Sequence, residues 1–276
     1  MRLRDTYFHK PSQDMLERIG NSAISVAGRV RDVTKFVIKI FNALKLMLCR
    51  RTVTRRIDLW IEIDKAGLRA IPIVGMISFM IGVIIAFVGN MQLKMFGAEI
   101  YVAALVSIST IRILGAIMTG IIMAGRTGAS YAAEIGTMRA NEEIDALHTM
   151  GISPIQFLVL PRVLALTITM PILTIIADIL AIFGGMCVAI AIMNVSVIEY
   201  WHTTVDWLSF NNFAIGVLHG WLFGWVIAIA GCWYGMNTTK NADGVGHATT
   251  RAVVAGIVWC IVVTAILTLI FNWLDI

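Results

Sequence analysis

Residues 163–194 read VLALTITMPILTIIADILAIFGGMCVAIAIMN, in which Asp178 is the one charged residue. An α-helix rises about 1.5 Å per residue, and about 20 apolar residues cross a hydrocarbon core of about 30 Å. The run is therefore long enough to span a membrane, but it is too short to hold two spans and a turn. We expect it to tilt, to bend near Pro171, or to extend beyond the bilayer.

Four further apolar runs lie at 71–91, 100–125, 213–236 and 252–274, and Arg112 is the one charged residue inside them. The whole chain is 58% hydrophobic and 14% charged, whereas a soluble domain carries about 25% charged residues. A buried core helix of a soluble protein explains one or two such runs, but not five. The sequence therefore predicts an all-α integral membrane protein with five transmembrane helices.

The basic residues are distributed unevenly along the chain. Fifteen of the 22 Lys and Arg precede residue 70, and most of the others lie in or beside the second and fourth loops. By the positive-inside rule, the N-terminus is cytoplasmic and the C-terminus lies on the outer side. Residues 1–69 lack the short apolar core and cleavage site of a signal peptide. We expect them to form a cytoplasmic basic arm ahead of a five-span domain at 70–276.

The arm contains apolar residues that alternate steps of three and four, with Lys and Arg at many of the positions between them. This pattern predicts an amphipathic interfacial helix lying on the anionic cytoplasmic leaflet. A coiled-coil seam has a similar spacing and remains an alternative. The apolar positions are Leu16, Ile19, Ala23, Val26, Val30, Val33, Val37, Ile40, Leu44 and Met47.

Small residues indicate where the spans touch. Gly216, Gly220 and Gly224 recur at four-residue intervals in the fourth span. Small residues at this spacing lie on one helix face and let a second backbone approach closely. We expect them to serve helix packing, so that the spans form a compact bundle.

Arg112 and Asp178 each lie near the middle of an apolar run. A charge at that depth costs about 2.5–3.5 kcal/mol even on a lenient insertion scale, so neither side chain is expected to face lipid. Both residues can line a polar cavity and contact substrate. They can equally neutralise one another across a helix interface, and the sequence leaves both readings open.

The loop between the second and third spans, residues 126–161, is cytoplasmic by the charge distribution. We expect a short helix at 140–147 with Asn141 as its N-cap and acids in its first turn. Gly151 and Pro154 would end that helix. Such a charged helix suits docking to a partner, although a plain solvated loop is the alternative.

Residues 113–147 read ILGAIMTGIIMAGRTGASYAAEIGTMRANEEIDAL. This run resembles the signature of MlaE/YrbE-type permeases, which are the membrane subunits of MCE-associated ABC transporters. Further matches occur at Pro161-Arg162, at Gly184-Gly185 and at 244–254. The resemblance covers about residues 65–276.

The resemblance implies a homodimer of permeases bound to two cytoplasmic ATP-binding subunits, which hold the ATP and Mg²⁺. It also implies an MCE-domain protein on the outer side, a phospholipid or related lipid as cargo, and the bacterial inner membrane as location, with a periplasmic C-terminus. The loop helix would insert into a groove of the ATPase. The positions matched to that coupling role are Glu134, Gly136, Met138, Arg139, Glu142, Glu143 and Asp145.

The resemblance also assigns a substrate path. Arg112 matches the Arg of an Arg-Glu-Leu-Gly motif near the lipid cavity. Ile113 stands where the family usually has Glu, which is a departure at this position. Asp178 is an acid common in the family, so the path is expected to include all three residues.

Some functions are disfavoured by motifs that the sequence lacks. It contains no Gly-x-x-x-x-Gly-Lys-Ser/Thr loop, so ATP hydrolysis is expected on a separate subunit rather than on this chain. It shows no catalytic constellation and no metal-ligand spacing, and we expect no cofactor of its own and no nucleic-acid partner. An ion-gradient-coupled secondary transporter and a lipid-acting enzyme using His202 and Asp206 are the alternatives. Dependence on an ATPase partner separates them from the permease.

Overall fold

The computed structural model describes residues 11–49, 56–193 and 195–274. Within these residues the chain forms helices and connecting turns, and no strand. The helices are α1 Pro11–Leu48, α2 Arg56–Ala66, α3 Ile71–Leu93, α4 Val102–Ser109, α5 Gly115–Met123, α6 Ala129–Ala140, α7 Glu143–Thr149, α8 Leu160–Met193, α9 Val197–Asp206, α10 Phe210–Met236 and α11 Ala242–Trp273.

Five helical segments are long and apolar enough to cross a membrane. They are Ile57–Phe96, Glu99–Ala140, Ile155–Met193, Phe210–Met236 and Ala242–Trp273. Large apolar side chains on their outer surfaces are exposed, as expected where lipid is the solvent. The prediction of an all-α integral membrane protein is confirmed.

The third span stays helical throughout its length. α8 is one helix of 34 residues that passes through Pro171 without a break. It packs along α3 on one side and along α10 on the other. A Cβ on Gly82 of α3 would lie 1.8 Å from the carbonyl oxygen of Ala181. The backbones of α3 and α8 therefore touch, and α8 forms the centre of the bundle.

The second span extends farther than expected. A π-helical turn, Ala124–Gly128, joins α5 to α6, so that the helix continues to Ala140. The expected loop therefore begins as helix, because residues 129–140 contain no proline and are rich in alanine. The expected N-cap was wrong. Asn141 follows the end of α6, and Glu142 occupies the N-cap position of α7.

α1 packs one face against the bundle of its own chain. Ile40 is fully buried, and the ring of Phe36 lies 5.2 Å from that of Trp233 in an edge-on contact. Lys35 and Lys39 are exposed, and so is Val30 of the expected apolar face. α1 therefore buries part of its apolar face against the bundle, and its location at the membrane interface stays a prediction. The side chains of the expected face before residue 27 lie outside the described residues.

Candidate functional site: the turn before α7 and the charged residues of the spans

The C-terminal end of the second span turns into the short helix α7. Asn141 and Glu142 form this turn, and Glu142 has a left-handed backbone with φ of 61°. Residues other than glycine seldom adopt this conformation, so surrounding contacts must hold it. Ile144 supplies one contact, because its side chain is 4% exposed and lies in the core. Ile144 therefore fixes the apolar side of α7, while the acids of this helix stay exposed to solvent.

A lysine from the loop between α10 and α11 holds α7 in a fixed orientation. Lys240 Nζ lies 3.0 Å from Glu142 Oε1 and 2.7 Å from Asp145 Oδ2. The hydrogen bond from Lys240 lowers the pKa of Asp145, and the same bond raises the pKa of Lys240. All three side chains are exposed, so the pairs contribute little to global stability. They instead connect α7 to a second loop.

Three residues of the expected coupling set face inward. Gly136 is buried, and a Cβ there would lie 3.4 Å from Val245 Cγ1. Arg139 donates a hydrogen bond to the carbonyl of Met236, in the last turn of α10, where helical carbonyls lack partners. Met138 packs against the core. These three residues join α6 to α10 and α11. They are buried or half-buried, whereas the acids of α7 are exposed.

Glu134 lies in a cluster of four charged side chains at one end of the first three spans. We call Glu62, Lys65, Glu134 and Arg162 the Arg162 cluster. Arg162 Nη2 donates to Glu134 Oε2 over 2.8 Å, and Arg162 Nε lies 3.8 Å from Glu62 Oε1. Lys65 Nζ lies 3.7 Å from Glu62 Oε1 and 3.9 Å from Glu134 Oε1. The cluster therefore connects α2, α6 and α8.

Further contacts hold the guanidinium of Arg162, which is 5% exposed. It donates to the carbonyl of Leu158 over 3.2 Å, and its Cζ lies 5.7 Å from the centre of the Tyr131 ring. Sequence reasoning missed Glu62 and Lys65 as members of the cluster. Their signal was present: two opposite charges three residues apart, just before the first apolar run, need partners when neighbouring spans pack around them.

Arg112 lies on a π-helical turn of the second span, Thr110–Leu114, that joins α4 to α5. Its Nη1 donates to Asn212 Oδ1 over 2.8 Å, so that the guanidinium contacts the start of α10. Ile113 follows on the same turn and is partly buried. Turns of this type are rare and occur often at functional sites. The structure therefore places Arg112 on an irregular turn of the second span.

Asp178 contacts a different part of the second span. Its carboxylate packs on Gly115, where a Cβ would lie 1.8 Å from Asp178 Oδ1. The side chain is 4% exposed, and Oδ1 has no hydrogen-bond partner among the described residues. Within the described part of the chain no ion pair joins it to Arg112, which bonds to Asn212 instead. The structure thus places the two charges in separate contacts.

The glycines of the fourth span lie against two neighbouring helices. A Cβ on Gly216 would lie 1.9 Å from the carbonyl oxygen of Ile111, in the second span. A Cβ on Gly220 would lie 2.5 Å from Thr174 Oγ1, and one on Gly224 would lie 2.7 Å from the carbonyl oxygen of Leu166. Side chains at these positions would push the helices apart, so the glycines allow α10 to approach both spans.

Comparison with known proteins decides the family. The family model described as Permease MlaE matches residues 59–270. The chain belongs to the MlaE permease family. A probable ABC transporter permease of Rickettsia prowazekii is 40% identical over 208 residues, covering 75% of this chain and 77% of that protein. The intermembrane phospholipid transport system permease protein MlaE of Haemophilus influenzae is 30% identical over 192 residues, covering 68% and 72%.

A plant relative extends this similarity. The chloroplastic protein trigalactosyldiacylglycerol 1 of Arabidopsis thaliana is 26% identical over 210 residues, covering 76% of this chain and 60% of that protein. The match to the MlaE permease family includes α7 and the Arg162 cluster but excludes the whole of α1. His202 and Asp206, which suggested a lipid-acting enzyme, form an exposed pair 2.8 Å apart within α9. This geometry is that of an ordinary pair one helical turn apart.

Proposed function

We propose that this chain is the permease subunit of an ABC transporter that moves phospholipid or a related lipid between the bacterial inner membrane and an outer-side MCE-domain protein. Two copies would form a homodimer with two cytoplasmic ATP-binding subunits, which supply the ATP and Mg²⁺. The N-terminus would be cytoplasmic and the C-terminus periplasmic. Membership of the MlaE permease family supports this assignment, as do the names of the Rickettsia and Haemophilus relatives.

The single observation that carries the proposal is the way α7 is held. Its apolar side is anchored by Ile144, and Lys240 pairs with Glu142 and Asp145. Glu143 remains exposed, with Asn141 Nδ2 as its hydrogen-bond donor. A charged helix fixed in one orientation presents a defined surface to a partner, whereas a solvated loop needs no such contacts.

The same geometry provides a route from the docking surface to the substrate path. The segment Glu99–Ala140 is helical without interruption and carries both Arg112 and Arg139. At about 1.5 Å per residue, these two arginines are separated by about 40 Å of helix. Displacement of α7 by a bound ATPase would therefore move the turn that carries Arg112. The π-helical turns are points where such a helix can bend.

Co-purification of the ATPase with charge-reversed permease tests this function. The Glu143→Lys substitution reverses one exposed acid and leaves both ion pairs of Lys240 in place. We expect the tagged wild-type permease to retain an ATP-binding subunit. The variant should lose most of it, because a lysine then faces the partner surface that is complementary to an acid. Retention by wild type and variant alike would place the docking surface elsewhere. No ATPase with the wild type would refute the assignment itself.

Lys240→Gln provides the matched control for this experiment. It leaves the acids of α7 unchanged but releases α7 from the loop between α10 and α11. We expect partial retention of the ATPase, because the docking charges remain but their orientation is less fixed. A loss as large as that of Glu143→Lys would show that orientation matters as much as charge.

A further inference from the structure

A polar cavity of about 550 Å³ lies between α1 and the cytoplasmic end of the bundle. One wall is a face of α1 that carries Lys35 and Lys39. The opposite wall includes Arg139 at the end of α6, His148 of α7 and Trp233 of α10. Its volume falls within the range of about 300–1,000 Å³ typical of small-ligand sites. The cavity therefore lies between the interfacial helix and the coupling helix.

The charged residues that line this cavity are mainly basic. Asp32 is the one acid among its lining residues, against the cations Lys35, Lys39 and Arg139. Within the described residues neither lysine has an acid at salt-bridge distance. Arg139 Nε is buried and lacks a hydrogen-bond partner in that part of the chain. The walls thus offer several charged donors that an anion with multiple oxygens would satisfy.

The position of α1 places this cavity at the depth of lipid head groups. α1 is amphipathic, and helices of this type lie at the membrane interface with their basic side chains at head-group level. Trp233 is also a wall of a second cavity, of about 370 Å³, that is lined mainly by apolar residues such as Val226 and Ile229. A polar space and an apolar space thus lie side by side at the cytoplasmic surface.

We propose that the basic cavity binds the phosphate-bearing head group of an anionic phospholipid from the cytoplasmic leaflet, with an acyl chain beside Val226 and Ile229. The bound lipid would bridge α1 to α6, α7 and α10, and so would stabilise the coupling end. This lipid is a resident ligand and not the cargo. The proposal concerns the permease alone, so it stands or falls independently of the ATPase and of transport.

Native mass spectrometry of the full-length permease in detergent tests this site. The probes are dioleoyl-phosphatidylglycerol, dioleoyl-phosphatidylcholine and inorganic phosphate. We expect the wild type to retain one phosphatidylglycerol at least about tenfold more tightly than phosphatidylcholine. The Lys35→Gln/Lys39→Gln variant should bind it at least about tenfold more weakly, because it removes two charge-assisted donors to the phosphate. Both lysines are exposed, so the variant is expected to fold normally.

The matched control is Arg31→Gln/Lys45→Gln, which removes two exposed cations from the same helix outside the cavity. We expect it to keep the wild-type preference for phosphatidylglycerol within about twofold, because detergent lacks the surface potential of a membrane. Equal losses in the two variants would overturn the site, since charge on α1 would then act without regard to position. No preference over phosphatidylcholine would overturn it as well. Displacement of phosphatidylglycerol by millimolar inorganic phosphate would overturn the lipid assignment, because a soluble anion would then be the occupant of the cavity.

Discussion

The Arg162→Met substitution tests whether the Arg162 cluster holds together the ends of the first three spans. Methionine resembles the apolar stem of arginine, but it is shorter and has no charge and no donors. It would leave Glu62, whose side chain is 11% exposed, without its arginine partner. It would also remove the donor that Glu134 Oε2 accepts over 2.8 Å. Lys65, at 3.7 Å from Glu62 and 3.9 Å from Glu134, compensates only in part.

The expected cost follows from the burial of the group removed. Removing one partner of a buried ion pair typically destabilises a protein by about 3–5 kcal/mol, because the remaining charge stays buried without compensation. We expect Arg162→Met to fall within this range. Adding Glu62→Gln should recover at least about half of the loss. The buried carboxylate is then replaced by a neutral amide, against which methionine can pack.

The assay is the free energy of unfolding of the purified permease, from an SDS titration in mixed micelles followed by far-UV circular dichroism. Arg69→Met is the control, because Arg69 also pairs with an acid, Asp64 at 2.9 Å, but on an exposed surface. An exposed pair contributes about 0–1 kcal/mol. If Arg162→Met costs no more than Arg69→Met, the cluster is not a buried anchor and the reasoning fails.

Other substitutions and conditions test separate parts of the structure. Gly82→Val should cost at least about 2 kcal/mol of unfolding free energy, because a Cβ would lie 1.8 Å from a backbone carbonyl oxygen of α8. Gly125→Val is its control in the same SDS titration, because a Cβ at Gly125 would have no neighbouring atom within 4 Å. The Lys240–Asp145 contact lowers the pKa of Asp145 and raises that of Lys240, so protection of α7 from hydrogen exchange should persist between the two pKa values. It should fall as pH drops through the lowered pKa of Asp145 and as pH rises through the raised pKa of Lys240, and pH-independent protection would contradict this. Asp178→Asn should lower ATP-driven lipid transport, because Asp178 belongs to the expected substrate path and its buried Oδ1 has no hydrogen-bond partner among the described residues; transport at the wild-type rate would remove Asp178 from that path.

The spans were predictable from sequence because a hydrocarbon solvent imposes a simple requirement. Each crossing needs about 20 apolar residues, and the helix must satisfy its own backbone hydrogen bonds. The apolar run at 163–194 shows this directly, since its residues 163–193 lie within the helical segment Ile155–Met193. Pattern alone also identified the buried face of α1 in part. Ile40 is fully buried as expected, although Val30 remains exposed.

The site was less predictable, because its contacts join residues far apart in sequence. Nothing in the local pattern links Lys240 to Asp145 or Arg162 to Glu62. Periodicity likewise gives no sign that the second span continues as helix beyond residue 126, because alanine-rich polar sequence suits both a loop and a helix. Arg112 bonds to Asn212, which is one hundred positions away. Such partners are set by how the spans pack, and only the structure provides that.

Reconstituted lipid transport tests the central claim most directly. The tagged permease, purified with the ATPase that it retains, would be placed in proteoliposomes containing a fluorescent phospholipid. We predict that MgATP drives movement of this lipid, that a non-hydrolysable ATP analogue does not, and that Glu143→Lys permease supports little movement. Lipid movement driven by an ion gradient in the absence of ATP and of an ATPase would contradict the account, and would favour a secondary transporter.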